Sequence, residues 1–145
     1  MANYVTRLAE TGKAADCEII ARLHRKSFGE SCPFPWLSGW WWIVEYDGKP
    51  VAFAGLQETR EGGSGYLCRT GVIPSHRGQG LQKKMIRIRE RKALSRGWKR
   101  ICTDTTGNPI SANNLIACGY RTFLPKTPWG PEPSTIYWVR SMGDG

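Results

Sequence analysis

Val72-Ile73-Pro74-Ser75-His76-Arg77-Gly78-Gln79-Gly80-Leu81-Gln82 is the stretch from which the fold of this chain is read. Upstream of it, Tyr66 to Ile73 has the composition of a strand, and Pro74 ends it because proline brings no N–H to a ladder. Gly78 and Gly80 precede a helix with Leu81, Met85 and Ile88 on one face and mostly lysine and arginine outside. A helix start carries amides ahead of the first helical bond and a partial positive charge, and glycines beside it let a bulky anion approach the backbone. The turn is therefore expected to cradle phosphate, although a lone Gly-x-Gly more often marks only a tight turn. No third glycine completes a dinucleotide fingerprint, and no Gly-x-x-x-x-Gly-Lys-Ser/Thr is present for a P-loop. Neither a nicotinamide dinucleotide nor a nucleoside triphosphate is favoured.

Outward from this stretch, local signals predict the remaining elements. Tyr4 to Leu8 alternates as a short strand, and Asp16 is expected to cap a helix that carries Ile19, Ile20 and Leu23 and ends near Phe28-Gly29. Ser31 to Gly39 reads as an irregular loop. Trp41 to Tyr46 and Pro50 to Leu56 are expected to form a hairpin about Asp47-Gly48, and Glu61 to Gly65 a second turn. Beyond the basic helix, which Gly97 ends, Arg100 to Thr105 reads as a strand and Ser111 to Cys118 as a short helix closed by Gly119. Tyr120 to Leu124 and Thr135 to Val139 are the last strands. The order predicts an α/β sheet whose fourth and fifth strands, joined by the basic helix, run parallel.

With these residues in place, the chain resembles the GNAT superfamily of N-acetyltransferases. Val72-Ile73-Pro74 followed by Arg77-Gly78-Gln79-Gly80-Leu81 is similar to that family's acetyl-CoA motif, usually Gln/Arg-x-x-Gly-x-Gly/Ala. Arg77 and Gly80 match, while Gln82 stands where a small residue is usual. Asn108-Pro109-Ile110-Ser111 and, eleven residues after Asn108, Gly119-Tyr120 match the family's Asn-x-x-Ala/Ser and Gly-Phe/Tyr signature. The resemblance implies one domain over residues 1–145, with a mixed, mostly antiparallel central sheet of six to seven strands, a splayed parallel fourth and fifth pair, and helices on both faces. It implies acetyl-CoA as cosubstrate. Backbone groups of Gly71, Val72 and Ile73 would pair with the pantetheine arm, and the amides of Arg77, Gly78, Gln79, Gly80, Leu81 and Gln82 would take the pyrophosphate. Arg77 and Lys83 would add charge-assisted bonds, and Asn108 and Ser111 would lie beside the thioester end. The plain alternatives are a solvated basic helix for Lys83 and helix capping for Asn108 and Ser111.

The implied reaction is acetyl transfer by direct attack of an amine, on a small molecule or a protein, at the thioester. The Val72 amide is the expected oxyanion donor. The family's usual acid, a tyrosine seven residues after the asparagine, is Leu115 here. Tyr120, Tyr137, Ser111 or solvent would have to protonate the thiolate, which as a good leaving group needs little help. The glutamate that some relatives carry five residues before the asparagine is Thr103. Its neighbour Asp104 inherits the role of base only if a bulge shifts the strand. Glu45 and Glu58 are other carboxylates that would order water, and Cys118 reads as a buried, inert thiol. Acceptor selection is expected in the first helix and the Pro33 to Trp42 loop, with Trp40, Trp41 and Trp42 as pocket walls or core and Trp129 closing the same pocket.

Composition narrows the classes. At 145 residues, 40% hydrophobic and 11% aromatic, the chain is one domain's worth of sequence with a real core. A net charge of +9 favours anionic partners. The N-terminus lacks a signal-like apolar run, and the apolar cluster of Pro35 to Val44 is about half the roughly 20 residues of a membrane span. Five scattered cysteines, Cys17, Cys32, Cys68, Cys102 and Cys118, contain no Cys-x-x-Cys pair. A cytoplasmic protein with reduced thiols, no metal and no membrane partner is expected, its oligomeric state open and a homodimer included. A basic nucleic-acid-binding module is the competing class, because His76 to Arg100 holds ten lysines and arginines. It is disfavoured by the absence of RNP strands and zinc spacing. A relative that binds acyl-CoA without catalysis is the third.

Overall fold

The computed structural model describes residues 3–29 and 37–142. Its strands are β1 (Tyr4–Leu8), β2 (Trp40–Tyr46), β3 (Lys49–Glu58), β4 (Ser64–Val72), β5 (Arg100–Thr105), β6 (Arg121–Phe123) and β7 (Ile136–Ser141). Its helices are α1 (Ala14–Phe28), α2 (Leu81–Ser95) and α3 (Pro109–Ala117), with a 3-10 turn at Pro74–His76. Seven strands form one sheet in the order β1-β2-β3-β4-β5-β7-β6. β4 and β5 pair in parallel, while β1 with β2, β2 with β3, β5 with β7 and β6 with β7 pair antiparallel. The mixed α/β sheet expected from the resemblance is thus present. The parallel ladder runs from Ser64↔Arg100 to Tyr66↔Cys102, and β4 continues beyond it to Val72. Among the described residues no helix is long and apolar enough to cross a membrane.

The chain divides into two compact units, Met1–Gln57 with Cys68–Met85, and Glu58–Leu67 with Ile86–Gly145. In the first, Asp47 and Gly48 take φ of 49° and 82°, the left-handed pair whose twist suits a two-residue hairpin. Strand alternation then sorts the apolar residues onto opposite faces. Trp41, Ile43 and Phe53 pack with Ile20 and Leu23 of α1, whereas Val44, Ala52 and Ala54 pack with Leu81 and Met85 of α2. Of the tryptophan run, Trp41 and Trp42 are core at 0% and 7% exposure, and only Trp40 is half-buried. Core packing, not a pocket wall, explains the first two. Pro33, Phe34, Pro35 and Trp36, the rest of the expected acceptor wall, lie outside the described residues, as does Cys32.

α1 begins at Ala14, ahead of the cap expected at Asp16, and Lys13 stands at the N-cap without a side-chain bond. Asp16 is drawn away by stronger partners: it accepts from Arg7 Nη1 at 2.9 Å, Arg7 Nη2 at 3.0 Å and the Glu10 amide at 2.7 Å. A forked guanidinium on a carboxylate outweighs a single capping bond. These bonds, the Arg7 pair foremost, hold the Asp16 carboxyl down at about 2. An unfolded aspartate titrates near ~3.9, so the stabilisation is whole above about pH 4 and is lost as pH falls toward 2. Asp16→Asn is expected to cost about 1–2 kcal/mol at neutral pH and to flatten the acid limb of a plot of urea midpoint against pH. An unchanged limb would assign acid sensitivity to other carboxylates.

In the second unit, β5 and β7 run in unbroken register from Arg100↔Ser141 to Thr105↔Ile136. α3 starts at Pro109, two residues before the expected Ser111, because proline at the first helical position has its φ already set. Glu90 is buried at 4% exposure and accepts from Arg87 Nη1 and Arg140 Nη1, each at 2.8 Å. Leu115, Cys118, Tyr120 and Trp138 are also core residues of this unit.

Candidate active site

Pro74 does more than end β4. It opens the 3-10 turn, in which the His76 amide donates to Ile73 O at 3.0 Å and the Arg77 amide to Pro74 O at 3.4 Å. Gly78 and Gly80 follow with φ of 78° and 76°. A Cβ at either would meet nothing within 4 Å, so handedness rather than crowding requires glycine there, and the space beside the turn is open. The first helical bond of α2 runs from Lys84 N to Gly80 O at 3.1 Å. The amides of Leu81, Gln82 and Lys83 therefore come ahead of it, at the positive end of the helix. Arg77, Gly78, Gln79, Gly80 and Lys83 are exposed, Gln82 is half-buried, and Leu81 anchors the turn by its buried side chain. Backbone donors, favourable charge and open room fit a diphosphate.

The end of β4 departs in part from what the resemblance implies. The Ile73 amide donates to Val51 O of β3 at 3.0 Å, so it is not available to a pantetheine arm. Neighbouring residues of a strand direct their main-chain groups to opposite edges, which turns those of Val72 away from β3. The Val72 carbonyl accepts from Arg77 Nε at 3.0 Å, and Arg77 Nη2 reaches Ser27 O at 3.5 Å. Arg77 thus ties the turn to its strand rather than extending toward the glycines. Gly71 is glycine for packing: a Cβ would lie 2.5 Å from Phe53 Cε1 and 2.7 Å from Ser27 Oγ.

The acid and base candidates are rearranged as well. Thr103, at the position where some relatives carry a carboxylate, is buried and donates from Oγ1 to Leu67 O at 2.8 Å. β5 has no bulge in its register with β7, so Asp104 faces the opposite side and does not inherit the position of base. Its Oδ2 accepts from Tyr66 OH and Trp129 Nε1, both at 2.7 Å. Tyr120 is 4% exposed, and burial, then the Glu90 charge, pushes its phenol well above the ordinary value. Tyr137 OH accepts from the Gly130 amide at 2.8 Å. Glu45 is paired to Arg7 at 3.2 Å, and Glu58 accepts from the Gly63 amide at 3.1 Å inside its own turn. Asn108 caps α3, its Oδ1 accepting from Ser111 N at 3.1 Å, which is the capping role. Cys118 is buried at 2% exposure.

The Tyr66–Asp104–Trp129 constellation is not legible as a sequence motif, because Tyr66 and Asp104 are 38 residues apart. The one signal that could have found it is the parallel register: Tyr66 pairs with Cys102, and Asp104 is two residues further along the same face. Trp129, expected to close the Pro33 to Trp42 pocket, donates to Asp104 of β5, and residues 33–36 of that expected pocket lie outside the described residues.

Residues 8–120 match the model of the acetyltransferase (GNAT) family. No curated protein matches the chain. Among solved structures, a Klebsiella pneumoniae protein assigned as an acyl-CoA N-acyltransferase is similar at a TM-score of 0.70 and 22% identity, over 95% of this chain and 97% of that one. The ribosomal-protein-S18-alanine N-acetyltransferase of Escherichia coli aligns at a TM-score of 0.74 and 13% identity, over 100% and 96% of the two chains. N-acetylglutamate synthase of Neisseria gonorrhoeae, crystallised with coenzyme A and L-arginine, aligns at a TM-score of 0.77 and 22% identity, over 99% of this chain but 34% of its own. At such identities the structural likeness is one of fold. The family model covers most of the sequence, and with it the glycine turn and the asparagine-capped helix; the chain belongs to the GNAT family of acetyltransferases.

Proposed function

We propose that this chain is an acetyl-CoA-dependent N-acetyltransferase, residues 1–145 acting together as one enzyme. The observation that carries the reading is the open turn at Gly78 and Gly80, set against the N-terminus of α2 and tied through Arg77 to the Val72 carbonyl. The amides from Gly78 to Gln82 take the pyrophosphate of the coenzyme, with Lys83 beside them on the exposed side, while the Arg77 amide stays bonded to Pro74 O. The Val72 amide, turned away from β3, is the donor for the oxyanion that forms when the thioester carbonyl is attacked. Asn108 and Ser111 contact the pantetheine arm. A neutral amine forms the new C–N bond and the C–S bond breaks. The surplus proton leaves the nitrogen through water, and the departing thiolate takes a proton from solvent, as Tyr120 is enclosed. The free thiols at Cys17, Cys68, Cys102 and Cys118 accord with work in a reducing cytoplasm.

Calorimetry with acetyl-CoA, followed by thiol release across monoamines, diamines, peptides and aminoglycosides, tests this directly. The expected result is saturable one-to-one binding and thiol release only when an amine is supplied. Folded protein that binds no coenzyme would overturn the assignment. Coenzyme binding without thiol release across the whole panel would leave a coenzyme-binding relative in place of an enzyme.

A further inference from the structure

We propose that the cavity beside the C-terminal half of α1 is a second anion site, separate from the glycine turn, which takes a phosphomonoester with a compact apolar body. Its volume is about 340 Å³, at the lower end of the range in which small molecules are held. All of its walls belong to the first compact unit. α1 contributes Arg22 and Lys26, four residues apart and so on one face of the helix, and the start of β3 adds Lys49. Three cations thus line one cavity, with no carboxylate among its described lining residues. Nor does any of the three have a carboxylate within ion-pair distance among the described residues. Beside the charges, Leu23 and Val51 are buried and supply apolar wall.

A monoanion would offset one of these charges, whereas a phosphomonoester carries nearly two at neutral pH. Arg22 offers a planar fork to its oxygens, and the lysines act as point charges. His76, a further lining residue, is held in place before a ligand arrives: its Nδ1 lies 2.8 Å from Tyr4 OH, and its ring centroid 5.0 Å from that of Tyr46. When the Tyr4 phenol donates to Nδ1, the ring proton lies on Nε2 and is a donor to an anion. The Tyr46 ring and the apolar wall favour an ester over inorganic phosphate. The helical wall comes from α1 and none of it from α2, the helix whose amides form the proposed diphosphate cradle, and the two helices pack on opposite faces of the sheet. The cradle offers main-chain donors, and this cavity offers side chains. The inference goes beyond the acetyltransferase reading and does not depend on it.

The test is titration with phenyl phosphate, inorganic phosphate and phenol at constant pH and ionic strength, read on the imidazole resonances of His76. The chain holds two histidines, and His76→Gln identifies the signal. A saturable shift with phenyl phosphate, weaker binding of inorganic phosphate and no saturable shift with phenol are expected. Lys26 and Lys49 are exposed, so Lys26→Gln combined with Lys49→Gln should leave the fold intact and weaken phenyl phosphate binding at least about tenfold. Lys99→Gln combined with Lys126→Gln removes the same charge elsewhere and should leave that binding unchanged. Coenzyme A and dephospho-coenzyme A, added to the loaded protein, distinguish a separate phosphomonoester from the coenzyme's own 3′-phosphate: neither is expected to displace phenyl phosphate. Displacement by coenzyme A would overturn a separate site, and displacement by coenzyme A alone would give the cavity to the 3′-phosphate. Equal binding of phenol or of inorganic phosphate, or an undiminished response in the Lys26 and Lys49 double variant, would overturn the proposal as well. Absent coenzyme binding sinks the acetyltransferase assignment and leaves this titration standing.

Discussion

Replacing Gly80 with glutamate is expected to weaken acetyl-CoA binding at least tenfold in calorimetry, or about 1.4 kcal/mol. Two effects act together in this variant. Gly80 holds φ at 76°, a left-handed backbone that costs a residue with a side chain about 1–2 kcal/mol. The new carboxylate would also stand where the diphosphate is proposed to bind, with its repulsion greatest at low ionic strength. A Cβ at Gly80 meets nothing within 4 Å, so the folded chain has room for the side chain and a cooperative melt should persist. Gly80→Ala carries the strain without the charge and is expected to lose distinctly less affinity. Equal affinities for wild type and glutamate variant, in folded protein, would move the phosphate site away from this turn.

Trp41→Ala is expected to have the largest effect on stability, about 3–5 kcal/mol by urea denaturation, the range for removing a large buried aromatic. Trp41 is 0% exposed, its ring centroid lies 6.2 Å from that of Phe53 at 20°, and its Nε1 donates to Ser38 O at 2.9 Å. Gly55 is glycine on its account, since a Cβ there would stand 2.7 Å from Trp41 Cη2. The alanine variant leaves a cavity bounded by strand backbone, which cannot collapse to fill it. The urea midpoint should fall with the slope preserved. A loss below about 1 kcal/mol would show that this face of the sheet repacks freely. The same change at Trp129, 45% exposed, should cost much less stability.

Local chemistry accounts for what is legible in the chain alone. A proline that cannot donate, a pair of residues that accepts left-handed backbone, and an apolar period of two or of about four each act within a few residues. Hence Asp47-Gly48 marks its hairpin, Pro74 its strand end, and Leu81 with Met85 the buried face of α2. The order of these elements, with the glycine turn between the parallel strands, is enough to place the chain in its fold and to single out the turn proposed as the phosphate cradle.

The catalytic neighbourhood is decided at longer range. Asp16 is a reasonable cap until Arg7 reaches it across nine residues, and Tyr120 a reasonable acid until Glu90 and the core enclose it. Ile73 loses its free amide to Val51. Asp104 reads as a displaced base, yet an unbroken β5 register and two donors, 38 residues before it and 25 after it, turn it to the other face. Propensity and turn signals depend on covalent neighbours, so one strand of letters carries them. The protonation, exposure and orientation of a polar side chain depend on which distant groups folding brings within about 3 Å.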